Sequence, residues 1–333
     1  MKKLHFSVLI LWIFLVVMNV GELFCYASTL MFFEEGGLLS GTPDYDWWYG
    51  CSPTSAGMMM GYYDIYGYGG LVYDNIVPGG VAELNTFGSS PPGGFLVNNI
   101  IASQGHIADF YGKGYGAFGD DNYTGRPFDC LADFMGTSQD SVGNSNGTTR
   151  FWYYADGAPL YITDIYAAGK AVYNSSGLFG MWEYFNYVGY GSGDPSTDYN
   201  AFNQPVDTLG LTYGFTFEDY MNEIDMGRVV MIGIEGHSML GYGYSEATNE
   251  VYFHDTWNPG QHSMKWGGYY LGSKMLRVTC FTPTGSDVPI PEPLTLFLFS
   301  IGLIGIMGLD FVKNKKGGSG VLILRQLRKA MFF

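Results

Sequence analysis

Three residues of the 333-residue chain could do nucleophilic chemistry together: Cys51, His237 and Asp255. Cys51 opens the stretch Cys51-Ser52-Pro53-Thr54, and an apolar run follows in which Ala56, Met59, Met60 and Tyr63 recur at helical spacing. Ser52 is a good N-cap and Pro53 suits the first helical position, so Cys51 is expected at the N-terminal mouth of a helix. Unpaired amides and the positive end of the helix dipole favour an anion there. A thiol so placed is expected to lose its proton more easily, and the thiolate is the nucleophile. Such a cysteine could equally be packed or disulfide-bonded, so the rest of the chain must decide.

A base and its partner lie far downstream. Residues 229–234 read as a buried strand, Gly236-His237 breaks it, and residues 238–244 form the next strand. Residues 245–249 turn the chain and residues 250–255 return. If Tyr244 pairs with Glu250, Asp255 faces Met239 and His237 lies two residues along the same face. Such diagonal neighbours are roughly 7–8 Å apart, within reach of an imidazole and a carboxylate. A slip of one residue would put them on opposite faces. His237 and Asp255 are therefore expected to form a hydrogen-bonded pair. His254 points to the other side and reads as structural; His262 falls in the following loop. Before these strands, residues 216–227 read as a helix, capped by Thr216 with Asp219 and ended by Gly227.

Composition narrows the setting. Apolar residues make up 47%, enough for a sizeable core, and 17% aromatic residues with 49 glycines suggest many turns and aromatic-lined surfaces. Residues 28–291 carry 28 acidic and 8 basic side chains, a formal charge of −20. Such a body is not expected to bind nucleic acid or anionic lipid. Residues 1–27 read as a signal peptide: Lys2 and Lys3, then an apolar run from Leu4 to Val20, then a small residue at Ala27. Cys25 would leave with it. Cys51, Cys130 and Cys280 remain, an odd number in an oxidising compartment, so one is free or pairs with another molecule. Cys130 and Cys280 could bridge; Cys51 is the best candidate for the free thiol.

The middle, residues 65–214, is dense in turn signals, with helices expected at 128–135 and 159–173. It reads as decoration that helps form a substrate cleft. Asp120-Asp121 and Asp44-x-Asp46 read as solvated carboxylates, and His106, in a glycine-flanked loop, has no ligand-spaced partner. No cofactor is called for. Three domains are expected: the signal at 1–27, the body at 28–287 and a tail at 288–333.

The tail carries Pro291-Glu292-Pro293, the apolar run Leu294 to Leu309 and the basic cluster Lys313, Lys315 and Lys316. This layout resembles a PEP-CTERM sorting signal, which implies processing by exosortase-type sorting machinery. It departs in Asp310 and in the residues beyond Lys316. The plain alternative is a transmembrane anchor, the tail holding the protein to the membrane. Either way the body is exported and lies at the cell surface or outside the cell.

The segments 50–64, GCSPTSAGMMMGYYD, and 236–257, GHSMLGYGYSEATNEVYFHDTW, resemble the secreted relatives of bacteriocin-processing, double-glycine-leader peptidases among the papain-like cysteine peptidases. The resemblance implies an α+β fold, with a helical lobe carrying the cysteine and an antiparallel sheet carrying the histidine and aspartate. It implies Cys51 as nucleophile, His237 as general base and Asp255 as orienting acid, acting on a peptide or protein substrate. Papain-like enzymes place a Gln about six residues before the Cys as oxyanion donor; here that position is Tyr45, so Trp47, Trp48 or a backbone N–H must serve. The alternative is a non-catalytic cell-surface or biofilm-matrix protein on a degenerate peptidase fold.

Overall fold

The computed structural model describes residues 36–88, 94–112, 128–144 and 147–284. The chain divides into two compact units, Met1–Ser286 and Asp287–Phe333, and every described residue falls in the first. The expected signal peptide, the tail and Asp120-Asp121 lie outside the described residues. Among the described residues no helix is long and apolar enough to cross a membrane.

The longer helices are α1 (Cys51–Tyr66), α2 (Gln104–Gly112), α3 (Gly177–Tyr187) and α4 (Phe217–Asp225). The strands are β1 (Leu160–Tyr161), β2 (Ala201–Pro205), β3 (Val230–Ile234), β4 (His237–Ser245), β5 (Glu250–His254), β6 (His262–Lys265), β7 (Tyr269–Tyr270) and β8 (Ser273–Phe281). They form an antiparallel sheet in the order β1-β2-β8-β3-β4-β5-β6, with β7 also paired to β8. The fold is α+β, as expected, and is consistent with a papain-like arrangement.

Both faces of the sheet are covered at its centre, because β3 is apolar and buried at every position and its side chains alternate between the faces. Val230, Ile232 and Ile234 of β3 join a core with Tyr220 and Ile224 of α4. Met231 of β3 and Leu240 of β4 join the core built on α1. The capping box expected at Thr216 is present. The Thr216 hydroxyl accepts from the Asp219 amide at 3.1 Å and the Asp219 carboxylate accepts from the Thr216 amide at 2.9 Å.

Helix α1 forms over the apolar run, as expected, but differs from the expectation of one apolar stripe and of a Ser52 cap. It is buried on all sides from Ser52 to Asp64, with Met58, Met59 and Met60 fully enclosed, so no solvent face exists for a stripe to oppose. It also begins earlier, with Gly50 as N-cap and Cys51 already its first residue. Gly50 has φ +147°, and a Cβ there would lie 2.9 Å from Pro53 and 3.0 Å from Thr137. Only glycine fits this approach. Further along, the Asp64 carboxylate accepts the Val77 and Ala82 amides at 3.0 and 2.9 Å, tying the following loop to the helix.

The middle segment is more broken than expected. Residues 159–173 give β1 and two short helices, Ile162–Ala167 and Lys170–Tyr173, separated at Gly169 with φ +93°. Residues 128–135 give one turn of helix, Leu131–Phe134. His106 lies in α2 and not in a loop, with Nδ1 3.0 Å from Asp133 Oδ1.

Candidate active site

The site gathers where α1 begins, β4 begins and β5 ends. A two-residue turn, Glu235-Gly236, joins β3 to β4, and Gly236 takes φ +75° to close it. Ile234 therefore faces His237, and Ser238 faces Gly233. Side chains alternate, so Ser238 points to the α1 side. Its hydroxyl lies 2.9 Å from the Ser52 hydroxyl. Ser52, expected as the N-cap, instead tethers the first turn of α1 to β4.

This tether brings Cys51, the residue before Ser52, to the start of β4, beyond the point where β4 and β5 stop pairing at Leu240 and His254. Cys51 is half-buried, and Cys51, Cys130 and Cys280 are all free thiols, so no Cys130–Cys280 bridge forms. Burial pushes the Cys51 thiol up from its ordinary range; the Ser238 amide, the Ser52 hydroxyl and amide, and the Arg277 charge pull it down without cancelling that rise. The expected easy ionisation is thus corrected. Removing solvent from the charged sulfur outweighs the helix mouth.

The His237–Asp255 pair forms, but through the backbone. His237 Nε2 lies 2.6 Å from the Asp255 carbonyl oxygen. A carbonyl can only accept, so Nε2 carries the proton and Nδ1 is left with its lone pair. Nδ1 makes no hydrogen bond to a described residue. His237 is buried and stacks on Trp257, ring centroids 3.6 Å apart at 17°. Burial pushes its pKa below the ordinary imidazole value, and the Asp255 carbonyl and charge offset only part of that. No hydrogen bond joins the Cys51 thiol to the His237 ring; the link between α1 and the residue after His237 is made by Ser52.

The Asp255 carboxylate, expected to orient the ring, is occupied elsewhere. It accepts from the Trp257 and Asn258 amides, both at 2.8 Å, from the Asn258 side chain at 3.3 Å and from the Tyr270 hydroxyl at 2.6 Å. Burial alone would push this carboxyl up; the four donors outweigh it and hold the group below the usual carboxylate range. The carboxylate thus fixes the turn at 255–258, and the turn aims the carbonyl.

The loop before Cys51 is locked to this turn. The Trp47 amide donates to the Thr256 carbonyl at 2.8 Å. Tyr49 and Thr256 both hold positive φ, +53° and +65°. Backbone of this kind costs about 1–3 kcal/mol per residue and clusters at working sites. Tyr45, which stands at the position of the Gln, is buried and donates to the Glu83 carbonyl. Trp48 spends its amide on Thr54 and its indole N–H on the Ala102 carbonyl. The Trp47 indole N–H is not engaged by a described residue.

His254 is structural, as expected: it stacks on Tyr242 at 4.4 Å and its Nδ1 donates to the Gly260 carbonyl at 3.0 Å. Asp44, expected to be solvated, is buried and accepts the Gly260 amide at 2.7 Å; Asp46 is exposed. Trp257, Tyr270, Ser238 and Arg277 were not singled out from the sequence. Trp257 and Ser238 stand inside the segment 236–257, two residues from Asp255 and one from His237. Tyr270 and Arg277 have no local signal, since strand pairing alone brings them in. One group among the described residues has metal-ligating chemistry: His106, Cys130 and Asp133, all buried, with ligand atoms within 4.8 Å of one another.

No match was found among curated proteins or among solved structures. Residues 163–269, under half of the chain, match the family model described as Peptidase_C39 like family. That segment builds most of the sheet and includes His237 and Asp255 but not Cys51, so the sheet half of this fold is similar to a cysteine-peptidase family.

Proposed function

We propose that the protein is an exported cysteine peptidase that cleaves peptide bonds through Cys51, His237 and Asp255. The observation that carries this reading is the Ser52–Ser238 contact, which holds the start of α1, and Cys51 with it, at the strand that begins with His237, whose Nδ1 is kept unprotonated by the Asp255 carbonyl. The resting pair is neutral, with the thiol pushed up and the imidazole pushed down. In this reading substrate binding brings Nδ1 to the thiol. Nδ1 takes its proton as the sulfur attacks the peptide carbonyl. The oxyanion is met by the Cys51 amide at the helix mouth and by the Trp47 indole. His237 returns the proton to the leaving amine, and water then releases the acyl group. No cofactor enters these steps. The apolar run and basic cluster at each end of the sequence support export, surface location and recognition by a sorting machinery.

A second reading has its own support. The lack of a thiol–imidazole hydrogen bond and the raised thiol suit a non-catalytic surface or matrix protein on the same fold. Acid-quenched intact mass after mixing with a peptide p-nitrophenyl ester separates the two. The peptidase reading expects an acyl adduct mapped to Cys51 and absent in His237→Ala. An unmodified Cys51 would leave the second reading standing.

A further inference from the structure

Arg277 lies on the same side of the sheet as Ser238, two strands away. Gly233 pairs with both residues, with Ser238 on one side and Arg277 on the other. The Arg277 side chain leans across Gly233: a Cβ at that glycine would lie 2.8 Å from Arg277 Cζ and 2.9 Å from its Cγ. A glycine in a strand interior often marks close approach by another group, and here that group is a guanidinium. The guanidinium also packs on the Phe151 ring, with Cζ 3.8 Å from the ring centroid, a cation–π distance. Its one hydrogen bond to a described residue is Nη1 donating to the Thr279 hydroxyl at 3.3 Å.

Among the described residues Arg277 has no carboxylate partner, in a body whose acidic side chains far outnumber its basic ones. A guanidinium offers five N–H donors in a fork that fits a carboxylate. Leaving such a cation half-buried and unpaired is costly unless something brings the anion. Ser238, bonded to Ser52 beside Cys51, and Arg277 flank Gly233 on one side of the sheet, so the anion would sit on the nucleophile's side of the sheet, two strands from Ser238.

We infer that Arg277, held between Gly233 and Phe151, is a carboxylate-binding subsite beside Cys51, which selects peptides presenting a carboxylate next to the attacked bond. This rests on the peptidase reading for its substrate, but not for its test. The carboxylate is either an acidic side chain or a free peptide C-terminus.

The test compares iodoacetate with iodoacetamide on the full-length protein, with alkylation of Cys51 followed by peptide mapping. The ratio of the two rates cancels the thiolate fraction. It should exceed that of free cysteine by about fivefold, the scale of one unit charge a few ångströms away in water. Arg277→Gln should return the ratio to the free-cysteine value and Arg277→Lys should keep it raised, while iodoacetamide labelling of both variants reports that the site is intact. A ratio at or below that of free cysteine, or one unchanged in Arg277→Gln, overturns the inference. Binding of peptide pairs to Cys51→Ala protein, read by fluorescence anisotropy, names the source. An internal Asp/Asn pair that separates indicates a side chain, and a C-terminal acid/amide pair that separates indicates a terminus. If neither pair separates, the subsite does not exist. None of these readings requires turnover, so a failed subsite and a failed peptidase give different results.

Discussion

The ring of His237 is held by the main-chain carbonyl of Asp255 at 2.6 Å, while the carboxylate of the same residue turns away to four other donors. Orientation of the base therefore depends on the shape of a turn more than on a charge beside the ring.

This relationship separates two substitutions that a carboxylate–imidazole pair would not. Asp255→Asn keeps an acceptor for the Trp257 and Asn258 amides and leaves the carbonyl in place. Peptidase activity should fall by about tenfold. Losing a carboxylate that directly fixes the tautomer costs about 10⁴-fold. Asp255→Ala removes the anchor of the turn and should abolish activity. Steady-state kcat/KM of the two variants checks this.

The pH dependence follows from burial of the ring. His237 has to be neutral to accept a proton, and its pKa is pushed below the usual 6.5. The acid limb of kcat/KM should thus have its midpoint below pH 6.5. Trp257 covers one face of the ring, so Trp257→Ala rehydrates it and should move that midpoint upward. The same shift bears on stability. The folded state disfavours the protonated ring, so the stability contribution is present above pH 6.5 and is lost as pH falls through the lowered value. Chemical denaturation at pH 5 and pH 7 should show less of the loss in His237→Gln.

How much of this could be read beforehand varies from residue to residue. The strand carrying His237 and its return to Asp255 were legible, because alternation and the Gly236 turn are local signals. The register was not. Tyr244 pairs with Val251 instead of Glu250, an odd slip that would have put the two site residues on opposite faces. A bulge at Tyr242 takes up the extra residue, so Gly241 faces Phe253 and Leu240 faces His254. The end of the hairpin near the site then has the expected phase. No residue type announces such a bulge; packing of Tyr242 on His254 accompanies it. Ser52 and Pro53 suit a cap and a first helical residue by type, yet α1 starts two residues before the position they imply. The strained Gly50 does that work, and Ser52 is spent on Ser238.

Two positions away from the chemistry should report on stability. Gly50→Ala forces a side chain against Pro53 and Thr137 from a backbone that disfavours it, at a cost of about 1–3 kcal/mol. Asp64→Ala leaves the buried Val77 and Ala82 amides without their acceptor, a loss of about 2–4 kcal/mol. Urea denaturation measures both. Gly50→Ala should also slow Cys51 alkylation because it shifts the helix mouth, whereas folded Asp64→Ala protein should alkylate at the normal rate.

The most direct measurement is digestion of a mixed peptide library by the wild-type protein, Cys51→Ala and His237→Ala, with products read by mass spectrometry. The account predicts a defined set of cleavages that falls at least about 10³-fold in both variants. Cleavage that persists unchanged in Cys51→Ala, or no cleavage by the wild-type protein, would contradict it.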